Sequence, residues 1–305
     1  MKINGSEMIE AFLNYLKFEK RYSTKTVESY KIDILQFFHF IKLEFEQDDL
    51  LPVKNNQVRA WVVQLVNDKH KPTSIKRKIS ALKSFYKYHQ KIGNIKSNPA
   101  DKVNSPKIPE RLPKYVEQHK INELLDIPQK YFTKDNAFEN MQEKLLMDVL
   151  YSTGMRRQEL IQLQWSDINF SNRQLKVTGK GNKQRLIPIG DELADSMKIF
   201  LQKQQEEFKH ISKEPYVFLT KDGKQLYPNY VYRIVKMHIG HCSTAEKKSP
   251  HVLRHSFATH MSNNGAKLND IKELLGHASL ASTQVYTHNT IEQLKEIYKI
   301  AHPKA

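Results

Sequence analysis

"SPHVLRHSFATHM", residues 249–261, sets His251, Arg254, His255 and His260 within ten positions, and the reason for that gathering decides how the rest of the chain is read. As a helix, the stretch puts His251 and His255 four apart on one face, a spacing that can hold zinc. Arg254 argues against that use. A permanent cation beside two imidazoles repels a dication, and no glutamate stands between them to act on metal-bound water. An anion suits the cluster better, and the rest of the chain has to say which anion.

Composition narrows the choice. The chain has 305 residues, enough for one large or two ordinary domains, and its 39% hydrophobic content supports a packed core. Lys and Arg number 49 against 33 acids, a net charge of +16, which points to a polyanionic partner. The charge is patchy: from Lys69 to Lys102 there are ten Lys or Arg and one acid, Asp101. That distribution favours nucleic acid over a generally solubilising surface. No apolar run approaches the ~18 residues of a membrane span, and Glu7 and Glu10 stand where a signal peptide would be basic and then apolar. A cytoplasmic, nucleoid-associated protein with no membrane partner is expected. The single cysteine, Cys242, can form no internal disulfide, and no cysteine cluster exists to bind a metal.

Apolar residues recur at helical spacing in four early segments: Ile9, Phe12, Leu13 and Leu16; Val27, Tyr30, Ile34, Phe37 and Ile41 after the capping pair Ser23 and Thr24; Val58, Trp61, Val62 and Leu65; and Ile75, Ile79, Leu82 and Tyr86. They predict a helical bundle over residues 1–92. On the fourth helix Lys76, Lys83 and Lys87 share a face away from the apolar stripe, with Arg77 and Lys78 close by, and this set is expected to track DNA phosphates. Residues 93–115, "GNIKSNPADKVNSPKIPERLPKY", carry four of the twelve prolines and read as an extended linker. From 116 to 305 the pattern mixes types. Helices are expected near 117–126, 138–151, 191–207, 229–240, 250–263, 268–275, 281–287 and 291–300, and "QLKVTGKGNKQRLIPIG" (174–190) alternates as a two-stranded hairpin with a lysine at its tip.

Three places could carry chemistry: "TGMRRQEL" (153–160), the hairpin Lys180, and "HVLRH" (251–255) followed by "LLGHASLASTQVYTH" (274–288). Each is weak alone. An arginine usually makes a surface ion pair, a hairpin lysine is usually just exposed, and a helical His or Tyr is usually packed. In this order and spacing the chain resembles the tyrosine recombinase and integrase family, specifically its compact Xer-like branch. The resemblance implies a mainly α protein with a small β-sheet, α+β overall. A helical, SAM-like core-binding domain, matched by "YSTKTVESYKIDILQFF" (22–38), precedes a tyrosine-recombinase catalytic domain. It further implies that Arg156 is the first catalytic arginine, Lys180 the hairpin lysine, and His251 and Arg254 the pair from the His-x-x-Arg-His box. His277 is then the second histidine, and Tyr286, nine residues later, the nucleophile. Glu159 and His255 are expected to support these groups from behind. Met155 and Arg157 depart from the family's usual choices without removing a catalytic group.

The chemistry agrees with these assignments. A phosphodiester under in-line attack gathers negative charge on its non-bridging oxygens, which two guanidiniums can bind with paired charged hydrogen bonds. A tyrosine hydroxyl makes the cut reversible by forming a 3′-phosphotyrosine. It needs a proton acceptor, for which His251 is the candidate, and the 5′-oxygen leaving group needs a donor, for which Lys180 is suited. Neither metal nor other cofactor is required.

The resemblance implies a double-stranded DNA recombination site as substrate. It also implies a homotetramer, or a heterotetramer with a paralogous recombinase, and a possible accessory DNA motor. The tail 289–305 is either an arm docking on a neighbouring protomer or a helix closing its own domain. Because the sequence opens on the core-binding helices, a chromosome-dimer-resolving Xer role is expected ahead of a transposon or phage integrase. The rivals are a type IB topoisomerase, a catalytically idle DNA-binding protein on the same fold, and a zinc nuclease built on His251 and His255.

Overall fold

The structure is a computed structural model describing residues 5–51, 53–106, 115–125, 137–179, 182–209, 215–242, 248–276 and 288–304. The chain divides into two compact units, Met1–Arg111 and Leu112–Ala305. The first contains four helices among its described residues. Helix α1 (Gly5–Asn14) runs into a π-helical turn at Tyr15–Glu19, and α2 (Thr24–Phe45), α3 (Asn55–Asn67) and α4 (Pro72–Lys91) follow. Ser23 caps α2, accepting a hydrogen bond from the backbone N–H of Thr26 at 3.3 Å. Pro72 opens α4, where its missing N–H costs nothing. The stripes meet in an aromatic core of Phe12, Phe37, Trp61, Phe85 and Tyr86, with the Phe37 and Trp61 rings 5.0 Å apart. Tyr86 is fully buried and donates its hydroxyl to the carbonyl of Leu50.

The linker expected from residue 93 is partly docked. Ala100 and Val103 are buried in the first core, and Asn98 donates to the carbonyl of Lys83. The lysine face of α4 also needs a correction. Lys76 and Lys87 are exposed, and Lys83 is half-buried, donating to Asp101 O at 3.1 Å. Lys78, however, is buried, and its ammonium pairs with Asp33 and Gln36 over the ring of Trp61, so it cannot reach a phosphate. Arg77 binds the other oxygen of Asp33 while its side chain stays 44% exposed. Lys78 falls inside because it follows Ile75 by three positions and precedes Leu82 by four, on the apolar stripe itself. Asp33, wholly buried, is the anion that makes this tolerable.

The second unit is built on α6 (Ala137–Thr153), which packs against α8 (Asp191–Glu207) and α10 (Pro250–Asn263). Helices α5 (Gln118–Leu125), α7 (Arg157–Gln162), α9 (Pro228–Cys242), α11 (Leu268–Leu275) and α12 (His288–Ala301) complete its described α-helices, with a single 3-10 turn at Trp165–Asp167. The hairpin expected at 174–190 is present as β2 (Gln174–Thr178) and β3 (Gln184–Pro188). A short strand β1 (Ile168–Asn169), missed in the sequence, extends it to an antiparallel sheet in the order β1-β2-β3. The register pairs Leu175 with Ile187 and Val177 with Arg185. Leu175, Val177 and Ile187 therefore join the core, and Arg185 is carried inward with them, only 4% exposed. The helix expected at 281–287 lies outside the described residues.

Helix α12 closes its own unit. Leu294, Tyr298 and Ala301 bury against Phe257, Met261, Ile271 and Leu274. The Tyr298 hydroxyl donates to Ser152 O at 3.1 Å, and His302 stacks on the Tyr298 ring at 4.6 Å. Burial is the main reason that the His302 pKa falls to about 3.

Two measurements follow from these contacts. Asp33→Ala leaves a buried ammonium without its carboxylate and should cost about 3 kcal/mol, read by urea unfolding of Trp61 fluorescence in a Trp165→Phe background. His302 takes up a proton in the unfolded chain before it does so when folded. Stability should therefore drop as pH falls below about 6.5, by about 2 kcal/mol at pH 5 from this group. His302→Phe, which keeps the stacked ring, should flatten the loss of melting temperature between pH 7 and pH 5.

Candidate active site

The site begins where α6 stops. Thr153 donates its hydroxyl to Val149 O at 2.6 Å and accepts the N–H of Met155, and Gly154 then turns the chain with φ +57°. A Cβ at Gly154 would lie 2.7 Å from a Phe257 ring carbon and 2.8 Å from a Leu275 methyl, so conformation and space both require glycine. The turn delivers Arg156 to the N-cap position of α7 in an extended conformation. Glu159, one turn on, accepts the Arg156 backbone N–H at 2.8 Å with Oε2 and the Arg156 guanidinium at 2.8 Å with Oε1.

The same carboxylate also binds Arg185, from Nη1 to Oε1 at 3.1 Å and from Nη2 to Oε2 at 2.8 Å. Burial pushes the Glu159 pKa up, but the hydrogen bonds and charge of Arg185, with the hydrogen bonds from Arg156, outweigh it and hold the carboxyl below its usual range. Arg254, 7% exposed on α10, donates to Gly154 O and to Leu275 O, each at 2.6 Å. Burial, then repulsion from Arg156 and Arg185, brings its pKa down to about 10, which leaves it cationic at neutral pH.

These arginines converge on one helix end. The last carbonyls of α11 are taken in sequence: Leu274 O by Arg185 Nε at 2.8 Å, Leu275 O by Arg254 Nη2 at 2.6 Å, and Gly276 O by Arg156 Nη2 at 3.2 Å. Such carbonyls lack intrahelical partners and carry the negative end of the helix dipole, so cations are favoured there. Gly276 ends the helix with φ +64°, and a Cβ there would press on the Arg185 side chain at 3.0 Å.

His251 lies exposed in the first turn of α10, one turn before the exposed His255. Partial burial, then the charges of Arg254, His255, Arg157 and Arg156, lower its pKa, so the ring is neutral at pH 7. Of the residues singled out in the sequence, the structure therefore gathers Arg156, Glu159 and Arg254, with His251 in their field. Lys180, His277 and Tyr286 lie outside the described residues. Their neighbours do reach the cluster: Gly179 sits where a Cβ would be 3.3 Å from Glu159 Oε1, and Gly276 holds the Arg156 contact. His260 is a core residue, its ring hydrogen-bonded to the Tyr151 hydroxyl at 2.9 Å. Among the described residues no group of three or more His, Cys, Asp and Glu side chains comes together as a metal site.

Arg185 is the participant that the sequence reading passed over. Its signal was present: in "QRLIPIG" strand alternation sets position 185 on the same side as Ile187, which places a cation in the core.

Comparison with known proteins gives this arrangement a context. Residues 114–293 match the phage integrase family, and residues 9–91 match the phage integrase N-terminal SAM-like domain. A tyrosine recombinase XerC of Chlorobaculum parvum is 37% identical, the match covering 97% of this chain and 94% of the relative. One of Pediococcus pentosaceus is 36% identical, with 98% and 99% covered. In fold, the chain is similar to the XerH site-specific recombinase bound to difH substrate in a pre-cleavage complex, with a TM-score of 0.68 and 22% identity over 98% of this chain and 85% of that one. Family, relatives and fold define a site-specific DNA recombinase of the tyrosine class, an enzyme that breaks and rejoins DNA strands. The chain belongs to the phage integrase family.

Gly154→Ala forces a side chain into a positive-φ position and against two packed groups. It should destabilise the second unit by about 3 kcal/mol, seen as a lower melting temperature, and a Phe257→Leu partner change should recover part of the loss.

Proposed function

We propose that the enzyme cuts one DNA strand per protomer by attack of the Tyr286 hydroxyl on the scissile phosphate. The tyrosine O–P bond forms as the P–O5′ bond breaks, giving a 3′-phosphotyrosine and a free 5′-hydroxyl. Arg156 and Arg254 bind the non-bridging oxygens as charge builds on them, and His277 adds a further donor. The tyrosine proton passes to the neutral ring of His251, and Lys180 on the hairpin supplies a proton to the departing 5′-oxygen. Resealing runs the same steps in reverse from a 5′-hydroxyl of the partner duplex, which conserves the energy of the phosphodiester. The observation that carries this reading is the convergence of Arg156 and Arg254 on the end of α11, one residue before His277.

The substrate in this reading is duplex DNA bearing a recombination site, contacted by Lys76, Lys83 and Lys87 of α4 with Arg77 in support. Protomers act in pairs within a tetramer, identical or mixed with a paralogue, and an accessory DNA motor controls the order of exchange. The solved relatives of similar fold include a λ integrase tetramer bound to a Holliday junction. A role in resolving chromosome dimers, with the protein in the cytoplasm at the nucleoid, is favoured by curated relatives named XerC that align over nearly their whole length. No helix among the described residues is long and apolar enough to cross a membrane. A transposon or phage integrase of the same family is the second reading.

The test is a nicked duplex chosen from a random library by its binding to the protein, incubated in chelator and resolved on a denaturing gel. Wild type should give a covalent protein–DNA band and Tyr286→Phe none, while Arg156→Ala should slow its formation about a hundredfold. A chelator-sensitive cut with no covalent product would overturn the mechanism.

A further inference from the structure

Arg185 is committed inside the protein in a way that an arginine at a hairpin seldom is. Its side chain is 4% exposed, as is that of Glu159, and the two form a forked pair with both carboxylate oxygens engaged. Its third nitrogen, Nε, donates to Leu274 O at 2.8 Å. Space for the pair is made on both sides by glycine: a Cβ at Gly276 would lie 3.0 Å from Arg185 Cδ, and one at Gly179 would lie 3.3 Å from Glu159 Oε1. A cation needed only for stability could be replaced by an apolar side chain matching Ile187, and such replacements are often neutral or stabilising. The geometry here does something else, because the one guanidinium joins three elements. It sits on β3, five residues after Lys180, grips the carboxylate that holds Arg156, and grips the helix end that leads into His277.

We propose that Arg185 is a positioning residue for strand cleavage, setting the Arg156 guanidinium through Glu159 and fixing the end of α11 relative to the hairpin. The inference rests on the assignment of Arg156 to the phosphate clamp. Without Arg185, Glu159 loses its principal cationic partner and burial pulls its pKa upward. The carboxyl then protonates at higher pH than in the wild type and releases Arg156. The acidic limb of the cleavage profile should therefore move to higher pH. General loosening of the fold would lower the rate without moving that limb.

The experiment measures single-turnover formation of the covalent complex on the selected nicked duplex, across pH, with DNA affinity measured in parallel. Arg185→Met should cleave about ten- to a hundredfold more slowly, with the acidic limb displaced upward and affinity within about threefold of wild type. Arg185→Lys, which keeps the charge without the fork, should recover part of the rate and bring the limb back toward the wild-type position. In a Glu159→Gln background the Arg185→Met change should cost less than it does in the wild type, because the link through Glu159 is already cut and only the hold on the end of α11 is left to lose. A wild-type rate, an unmoved acidic limb, or losses that multiply with Glu159→Gln would each overturn the proposal. If Arg185→Met fails to fold, Arg185→Lys decides alone: a slower rate with the acidic limb displaced upward from the wild-type position supports it, and wild-type behaviour sinks it. Arg156→Ala separates the two readings. Full activity there would refute the clamp itself, whereas loss of activity there with an unaffected Arg185→Met would refute only the role of Arg185.

Discussion

Three guanidiniums share the C-terminal end of α11, and the arrangement of the second unit around that point follows from keeping them there. Arg156, Arg185 and Arg254 come from α7, β3 and α10, and one carboxylate, Glu159, is bound to two of them. Like charges this close repel, and burial adds a penalty that shows in the lowered pKa of Arg254. The carbonyls of Leu274, Leu275 and Gly276 and the negative end of the helix dipole offset part of that cost. The remainder is uncompensated positive charge, fixed in place before any substrate arrives. In the proposed mechanism a phosphate in the scissile position would meet donors already oriented, so that little reorganisation would be required at the transition state.

The same constraint explains two glycines. Gly154 and Gly276 both adopt positive φ, and each presents its carbonyl to an arginine of the cluster. A side chain at either position would displace Phe257 and Leu275 or Arg185. Backbone geometry and electrostatics are coupled here, because the turn that satisfies a guanidinium is the turn that only glycine makes easily. In the first unit the equivalent balance is purely structural. Asp33 neutralises Lys78 inside the bundle, and that ion pair removes a lysine from the surface that the sequence had seemed to offer to DNA.

Much of this was legible beforehand. Helices α8, α10 and α11 fall at 191–207, 250–263 and 268–275 as expected, because each has a clear stop or start: Gly190 before Asp191, Pro250 at the first position, Gly276 at the end. Helix α7 and strand β1 were not legible, since six and two residues are too few to show a period. Arg156, Glu159 and Arg254 could be picked out by motif. Lys78 was misjudged because it was taken to face DNA, although its spacing from Ile75 placed it inward, and Arg185 was passed over although alternation with Ile187 placed it inward as well. What no local pattern could give was the meeting of α7, β3 and α10 at one helix end, because that is a product of tertiary packing.

The central claim is that Arg156 and Arg254 act on the charge of the scissile phosphate. It is tested most directly by replacing one non-bridging oxygen of that phosphate with a methyl group, which removes the charge while keeping the bond to be broken. The account predicts that Arg254→Ala, slowed about a hundredfold on the ordinary phosphodiester, loses most of that deficit on the methylphosphonate. Equal losses on the two substrates would contradict it and would leave the arginines as groups that only hold the fold.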